Sequence, residues 1–331
     1  MKQKVLVTGA SGFIGSFIVE AALDKGYDVW AAVRKSSSRQ YLQDERIHLI
    51  ELNLDSEEQL REQLKGCQFD YVVHAAGVTK SLRKEDFRRI NTEGTKNLVR
   101  ALQTLATPHR RLVYLSSLSI VGAIREEQPY TEIQESDTPR PNTAYGQSKL
   151  EAEQWLATQP LPYVILRPTG VYGPRERDYF MMAKSIKAHT DFAVGFKPQD
   201  ITFVYVTDVV QAVLLAMEKG PSGRSYFLSD GEVYQSSTFS TLIRRELGNP
   251  WWIRITTPLW LLRIVTCCGE YVGHLTGRVT ALNNDKYNIL RQRNWRCDIS
   301  PARRELGSEP QGKLAEGVRR SIRWYKENGW L

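Results

Sequence analysis

Short apolar runs alternate with longer segments of helical period along the first half of the chain. β-Branched and aliphatic residues dominate six such runs, at Lys4–Thr8, Asp28–Val33, His48–Leu52, Tyr71–His74, Leu112–Leu115 and Tyr163–Leu166. Strands that alternate with helices are joined by right-handed crossovers. The pattern therefore predicts an α/β fold built on a parallel sheet with helices on both faces.

The alternation weakens after Pro168. Two further strands, Phe203–Val206 and Ser225–Leu228, are predicted around a helix at Asp208–Glu218, and the chain beyond about residue 235 is mostly helical in pattern. We expect a doubly wound sheet with a smaller, mostly helical C-terminal substrate lobe. The predicted division assigns residues 1–170 and the returning segment 200–230 to the sheet domain, and residues 171–199 and 231–331 to the lobe.

The segment VLVTGASGFIGSF, residues 5–17, places Gly9, Gly12 and Gly15 between the first strand and a helix predicted at Phe13–Leu23. In a Rossmann turn the first glycine permits the bend, the second admits a pyrophosphate and the third lets the helix approach the strand. A plain tight loop is the alternative. The position at the start of an alternating α/β chain favours a dinucleotide site, which makes residues 1–170 a dinucleotide-binding Rossmann domain.

The Thr-Gly-x-x-Gly-x-x-Gly form resembles the extended short-chain dehydrogenase/reductases, the epimerase/dehydratase group. Their other motifs follow in order: HAAG, INTEGTKNL, LVYLSSLSIVG, AYGQSK, LRPTGVYGP, FVYVTDVVQA and a C-terminal CDISPARRELG segment. The region after residue 250 is similar to the 3β-hydroxysteroid dehydrogenase and dihydroflavonol-reductase-like branch. The resemblance implies cofactor contacts from Thr8, Gly9, Ser11, Gly12, Phe13, Ile14, Gly15, Asn53, Leu54, Ala75, Ala76, Gly77, Tyr145, Lys149 and Pro168.

Tyr145 and Lys149 share one face of a predicted helix that begins at Asn142 or Thr143. A nearby ammonium is expected to lower the pKa of the phenol, so that Tyr145 acts as general acid while Lys149 also holds a cofactor hydroxyl. Ser117 is the predicted partner that polarises a substrate carbonyl, with Ser116 and Ser119 as alternatives. Asn91 is either a structural asparagine that supports the catalytic helix or an ordinary cap.

The second predicted strand ends in AAVRKSSSR, without the acidic residue that NAD-preferring turns use to bind a ribose 2′-hydroxyl. Arg34 and Lys35 stand there instead and suit a 2′-phosphate. A solvated basic loop is the alternative. We therefore expect NADP(H) as the preferred cofactor, with NAD(H) as the second choice, and NADPH preference suits a net reduction.

The substrate side lacks the asparagine that many nucleotide-sugar enzymes carry before VYGP, since Gly170 occupies that position. Residues 251–275 are rich in tryptophan and leucine, and Arg254 and Arg263 interrupt the apolar run. This segment is predicted to be a core helix, an apolar pocket wall or a peripheral membrane contact. The leading hypothesis is an NADPH-dependent reductase of a ketone on a hydrophobic, steroid-like or lipid molecule. The alternatives are a nucleotide-sugar epimerase or dehydratase and an NADP-sensing regulatory protein.

Composition adds little to this picture. The net charge of +8 comes from scattered basic residues, which argues against a nucleic-acid partner, and four cysteines suggest neither a disulfide framework nor a metal site. No N-terminal apolar region suggests a signal peptide, and no apolar run approaches the ~20 residues of a membrane span. We expect a cytoplasmic enzyme acting on a small molecule and compatible with a homodimer.

Overall fold

The computed structural model describes residues 2–276 and 283–331, without the side chain of His274. Its strands are β1 (Lys4–Thr8), β2 (Asp28–Val33), β3 (His48–Glu51), β4 (Tyr71–His74), β5 (Arg111–Leu115), β6 (Tyr163–Pro168), β7 (Gly170–Tyr172), β8 (Thr190–Val194), β9 (Asp200–Ile201), β10 (Phe203–Tyr205), β11 (Arg224–Leu228), β12 (Tyr234–Gln235) and β13 (Ile253–Thr257). Its α-helices are α1 (Phe13–Asp24), α2 (Glu57–Gln63), α3 (Lys84–Phe87), α4 (Gly94–Gln103), α5 (Ala144–Leu156), α6 (Asp178–Lys187), α7 (Val206–Glu218), α8 (Ser236–Glu246), α9 (Leu259–Thr276), α10 (Asn284–Arg291) and α11 (Leu314–Glu327). Two π-helical segments (Arg88–Glu93 and Ala302–Leu306) and a 3₁₀ turn (Leu118–Ile120) complete the elements.

Seven strands form one parallel sheet in the order β11-β6-β5-β4-β1-β2-β3. The chain winds from β1 outward to β3 and then returns to pair β4 on the other side of β1. The strand order therefore reverses between β1 and β4. Ligands of open α/β sheets bind at such a reversal, at the carboxyl ends of the strands.

Alternate residues of each strand face opposite layers of helices. Val5 and Val7 of β1 pack into a core with α1 and α7, whereas Leu6 packs into a core with α2, α4 and α5. Because both faces are covered, the central strands β1, β4, β5 and β6 are buried along nearly their whole length rather than at alternate residues. The predicted doubly wound α/β sheet is confirmed.

The predicted strand at Phe203–Val206 does not join this sheet. Its observed counterpart β10 pairs with β7 in a separate two-stranded sheet, and Val206 already belongs to α7. The strand predicted at Ser225–Leu228 does return, as β11 at the edge beside β6. Within residues 171–276, the expectation of a mostly helical chain missed β13, which pairs in parallel with β8.

Helices α6, α8 and α11 surround a third core centred on Tyr172, whose side chain is fully buried. Phe203, Phe239 and Tyr325 belong to the same cluster. The residues of this core begin just after β6 along the chain. The carboxyl end of β6 belongs to the edge where the sheet's ligand is expected. No helix in residues 2–276 and 283–331 combines the length and apolar character that a membrane crossing requires.

Candidate active site

The carboxyl edge of the sheet gathers the predicted motifs. The glycine loop follows β1, Arg34 and Lys35 follow β2, and Asn53 and Leu54 follow β3. Ala75, Ala76 and Gly77 follow β4, Ser116 and Ser117 follow β5, and Pro168 ends β6. Segments distant in sequence thus meet because parallel strands end at one edge.

The glycine loop has no room for side chains at two of its three glycines. Gly9 adopts φ +68°, and a Cβ there would lie 2.6 Å from the backbone nitrogen of Ala76. A Cβ at Gly15 would lie 2.1 Å from the carbonyl oxygen of Gly9, so this glycine lets α1 approach β1. Gly12 is exposed at the start of α1 and no side chain caps that helix. Backbone N–H groups at an uncapped, glycine-lined helix start suit a pyrophosphate, so the residues fit a dinucleotide.

Thr8 braces the sheet beneath this loop. Its Oγ1 lies 2.6 Å from Nδ1 of His74, and Nε2 of His74 lies 2.9 Å from Oγ1 of Thr95. Burial, and secondarily the charge of Lys149, lowers the pKa of His74 to about 3, so the imidazole is neutral. These side chains join β1, β4 and α4 and fix the position of the segment Ala75–Gly77.

Asn91 connects the segment after β4 to α5. Its Oδ1 accepts from the backbone N–H of Val78 at 2.8 Å, and its Nδ2 donates to the Val78 carbonyl at 3.0 Å and to Oγ of Ser148 at 3.0 Å. Asn91 is fully buried. These bonds match the structural asparagine that supports the Tyr145 helix better than a helix cap.

Helix α5 begins as predicted. Thr143 is its N-cap and accepts from the backbone N–H of Gly146 at 3.0 Å. Tyr145 lies in the first turn with its ring edge-on to Phe87, at a centroid distance of 6.4 Å. The residue is half-buried.

The expected lowering of the Tyr145 pKa is wrong for this structure. Burial raises the pKa of Tyr145 to about 12, and only the hydrogen bond with Ser117 opposes that rise. Lys149 does not contribute, because its Nζ donates to the carbonyl of Leu115 at 2.7 Å and lies 4.7 Å above the ring of Tyr114. Tyr145 is therefore a protonated phenol at neutral pH, the form that a proton donor requires.

Burial lowers the pKa of Lys149 to about 8, and the charge of Glu153 partly opposes the shift. The side chain is 4% exposed. A Cβ at Gly77 would lie 3.4 Å from Nζ of Lys149. The backbone after β4 therefore passes close to the ammonium. Lys149 is thus poised between its charged and neutral forms just above neutral pH.

The three candidate serines differ in their surroundings. Ser117 is the serine that lowers the pKa of Tyr145, and its Oγ lies 3.1 Å from the Oγ of Ser119. Ser116 is buried and its Oγ has no partner among the described residues. The structure therefore brings Ser117 and Tyr145 together.

The end of β2 presents an unpaired cationic loop. Arg34 and Lys35 are exposed, and neither forms an ion pair with the acidic side chains that the structure describes. A tight turn shapes this loop, in which Oγ of Ser37 accepts from the backbone N–H of Arg34 at 3.0 Å. Asn53, by contrast, donates from its side chain to Gln59 at 2.8 Å.

Tyr179 fills the position beside Gly170. A Cβ at Gly170 would lie 2.7 Å from the Tyr179 hydroxyl and 3.4 Å from the ring of Phe203. An asparagine at this position would collide with Tyr179. The site where a nucleotide-sugar enzyme places its asparagine is therefore closed by an aromatic side chain.

Asp285 is a site residue that the sequence did not reveal. Its carboxylate accepts from the backbone N–H of Ala144 at 2.9 Å, at the start of α5 and directly before Tyr145. Burial raises the pKa of this carboxyl. Asp285 also lines a cleft with Phe87, the ring next to Tyr145, and with Glu270 of α9. No spacing rule links two residues 141 positions apart.

The apolar side chains of residues 251–275 are divided between the surface and the interior, and Glu270 of the same segment lines the cleft beside Phe87. Trp251 is 64% exposed and Trp260 is 66% exposed, and neither lines the cleft beside Phe87. Leu262 is buried, and Trp252 packs against the third core. A peripheral membrane contact stays a prediction for the exposed part of this segment.

The chain is similar in sequence to a known family and to several known proteins. Residues 5–229 match the NAD dependent epimerase/dehydratase family. A 4-hydroxy-2-methyl-3-oxo-4-farnesyl-3,4-dihydroquinoline-1-oxide ketoreductase from Stigmatella aurantiaca is 27% identical, over 92% of this chain and 91% of its own. Sterol demethylase protein B from Methylococcus capsulatus is 27% identical, over 98% and 99% of the two chains.

A solved structure of UDP-glucose 4-epimerase from Thermotoga maritima, with UDP-glucose, has a TM-score of 0.77 at 22% identity and covers 98% of this chain and 99% of its own. This likeness shows a shared fold. Together with the matched residues 5–229, the comparisons support an oxidoreductase that uses a nicotinamide dinucleotide. The chain belongs to the NAD dependent epimerase/dehydratase family, within the extended short-chain dehydrogenase/reductases.

Proposed function

We propose that this protein is an NADPH-dependent reductase of a ketone on a hydrophobic molecule, and the corresponding dehydrogenase in reverse. The observation that carries the proposal is the meeting of Ser117, the protonated Tyr145 and Lys149 at the carboxyl edge of the sheet. Asn91 is the supporting residue for the helix that holds two of them.

The chemistry assigned to these residues is a carbonyl reduction. NADPH supplies the hydride for the carbonyl carbon when it is bound. Ser117 donates a hydrogen bond to the carbonyl oxygen and polarises it, and Tyr145 gives its phenolic proton to the same oxygen as negative charge develops there. Lys149, four residues further along α5, holds a ribose hydroxyl of the cofactor.

The preference for NADPH rests on Arg34 and Lys35. Both are exposed at the end of β2 and free of ion pairs with the acidic groups of the described chain. A guanidinium binds a phosphate through charge-assisted hydrogen bonds. Gly9, Gly12, Gly15 and the neighbouring Thr8, Ser11, Phe13 and Ile14 form the pyrophosphate turn in this proposal, with Asn53, Leu54, Ala75–Gly77 and Pro168 along the remaining length of the cofactor.

The hydrophobic substrate rests on two further points. The ketoreductase relative acts on a farnesyl-bearing compound and the second relative is named for sterol demethylation, so both names point to apolar molecules. In addition, the Tyr179 hydroxyl stands where a nucleotide-sugar enzyme would carry its asparagine beside Gly170. An aromatic wall favours an apolar ligand over a diphosphate.

The second candidate is a nucleotide-sugar epimerase or dehydratase. Two observations favour this candidate. The chain shares its fold with a UDP-glucose 4-epimerase, and the family that it belongs to is named for epimerases and dehydratases. Such an enzyme oxidises and reduces its substrate in one turnover and needs no external reductant. An NADP-sensing regulatory protein is the third candidate, disfavoured because the complete set of Ser117, Tyr145 and Lys149 would then have no role.

A direct experiment separates the three. Purified protein is mixed with NADPH and a panel of hydrophobic ketones, and NADPH consumption is followed at 340 nm, a wavelength set by the nicotinamide itself; Tyr145→Phe serves as the matched control. The reductase proposal expects consumption that the phenylalanine variant loses. Conversion of UDP-glucose without added NADPH would support the epimerase, and an unchanged cellular phenotype of Tyr145→Phe would support the regulatory role.

The remaining assignments belong to the same proposal. We place the cofactor in residues 1–170 and 200–230 and the substrate in residues 171–199 and 231–331, in a cytoplasmic protein that forms a homodimer. Size-exclusion chromatography with light scattering tests the dimer. Limited proteolysis with and without NADPH tests the division of the chain, because the cofactor should protect the first set of residues more than the second.

A further inference from the structure

Helix α9 carries its apolar side toward solvent. Six large side chains, at Trp260, Ile264, Val265, Tyr271, Val272 and Leu275, are between 40% and 69% exposed. At about 100° per residue they fall within an arc of about 140° on one side of the helix. The opposite side holds the buried Leu262, Thr266 and Gly273. A surface helix of a water-soluble protein normally turns its apolar side toward the core and its polar side toward solvent.

The strand that leads into α9 also exposes apolar side chains. In the β8–β13 pair, Ile255 lies opposite Phe192, and both are exposed, as is Ile253 on the same face of β13. The other face is polar, because Arg254 donates to the buried carboxylate of Asp191 at 2.6 Å. The exposed apolar residues thus lie on the outer face of this sheet and along the adjoining helix.

Unpaired basic residues stand near both ends of β8 and on α9. Lys184 and Lys187 lie at the end of α6 just before β8, Lys197 lies just after β8, and Arg263 lies on α9. All four are exposed, and none of them forms an ion pair with the described acidic groups. Arg254, by contrast, forms an ion pair with Asp191 on the inner face.

We propose that the outer faces of α9 and the β8–β13 pair dock this protein onto an anionic lipid bilayer. Helix α9 lies in the plane of the surface with its apolar side among the acyl chains, and the basic residues contact the headgroups. The exposed tryptophan and tyrosine rings of α9 suit the boundary between the two layers. Glu270, on the same helix, lines the cleft that also contains Phe87, whose ring contacts that of Tyr145.

Charge favours a bilayer over a second copy of the chain as the occupant. A self-complementary interface would bring the same unpaired lysines toward each other, whereas anionic headgroups neutralise them. Docking itself requires no catalytic activity. The delivery of an apolar substrate from the bilayer rests on the proposed reductase function.

Flotation with lipid vesicles tests the proposal. Vesicles of equal parts phosphatidylglycerol and phosphatidylcholine should bind the full-length protein, and Trp260→Ser/Ile264→Ser/Val272→Ser should lower vesicle affinity at least about tenfold. All three side chains are exposed, so this variant should retain the melting temperature of the parent. The matched control is Leu49→Ser/Val233→Ser, which removes exposed apolar side chains elsewhere and should bind like the parent.

A second variant tests the charge. Lys184→Gln/Lys187→Gln/Lys197→Gln should weaken binding to the phosphatidylglycerol vesicles and abolish their advantage over pure phosphatidylcholine. Absence of vesicle binding by the parent would overturn the proposal. A lipid-free dimer that the triple serine variant converts to monomer would also overturn it, in favour of an interface between copies. NADPH consumption with a water-miscible ketone in vesicle-free buffer is measured separately, so a failed reductase proposal leaves a positive docking result intact.

Discussion

Replacement of Asp285 by alanine should impair catalysis without affecting cofactor binding. Its carboxylate accepts from the N–H of Ala144 at 2.9 Å, directly before Tyr145 in α5. Each hydrogen bond to a charged group contributes about 1.5–3 kcal/mol, but the burial that raises the pKa of Asp285 offsets part of this. A net loss of about 1–2 kcal/mol corresponds to a 5- to 30-fold effect on an equilibrium. We therefore expect kcat/KM for a hydrophobic ketone to fall by up to about 30-fold.

Steady-state kinetics and NADPH titration provide the assay. Asp285→Asn keeps an acceptor oxygen and sheds the buried charge, so it should retain kcat/KM within about threefold. Asn288→Ala is the control, because Asn288 donates to the Asn142 carbonyl at 2.8 Å from the same helix without contacting Tyr145. The Kd for NADPH should stay constant in all three variants. The reasoning is refuted if Asp285→Ala keeps the parental kcat/KM, or if Asn288→Ala lowers it equally.

Three further predictions concern charge. Arg34→Asp should weaken NADPH binding by about 30-fold or more and NADH binding by less than about threefold, as measured by fluorescence titration. Equal losses of affinity for the two cofactors would show that Arg34 does not contact the 2′-phosphate. The Kd for NADPH should rise as pH increases through about 8, because the Lys149 ammonium that holds the ribose is then lost, and a flat profile from pH 7 to 10 would contradict this role. Glu135 has a pKa raised by burial from 4.5 to about 7, so the folded carboxyl retains a proton that the unfolded chain has released and stability falls as pH rises between these values. Glu135→Gln should accordingly increase the free energy of unfolding by about 1 kcal/mol at pH 8, after allowance for its half-exposed position, and by less at pH 5, as urea denaturation would show.

The sheet and the glycine loop could be predicted because their signals are local. β1, β2 and β4 begin and end at the predicted residues, since apolar runs bounded by turn residues leave little choice of register. Gly9 and Gly15 could be identified from their spacing after β1. The structure gives the reason for that spacing, since close contacts exclude a side chain at either position. Thr143 caps α5 through a bond to Gly146, a contact within one helical turn.

The errors all arise from contacts between distant segments. β13 resembles a connecting segment until β8 supplies its hydrogen bonds, and the apolar sequence of α9 cannot show which of its sides meets the protein. The pKa of Tyr145 depends on where the Lys149 ammonium points, and the Leu115 carbonyl captures it. Asp285 reaches α5 only through the folded chain. The missed features therefore depend on tertiary packing, which local sequence patterns do not encode.

The placement of β11 at the edge of the sheet bears on how the protein is made. A ribosome that releases β6 must still add the residues up to Leu228 before β6 gains its outer neighbour. At about 5–20 residues per second this interval lasts on the order of 3–12 s. Throughout it the nascent chain presents an unpaired, strongly apolar strand edge, a template for pairing with other chains. The cell's chaperones therefore have a defined window in which to protect this protein, and it closes only when the seventh strand emerges.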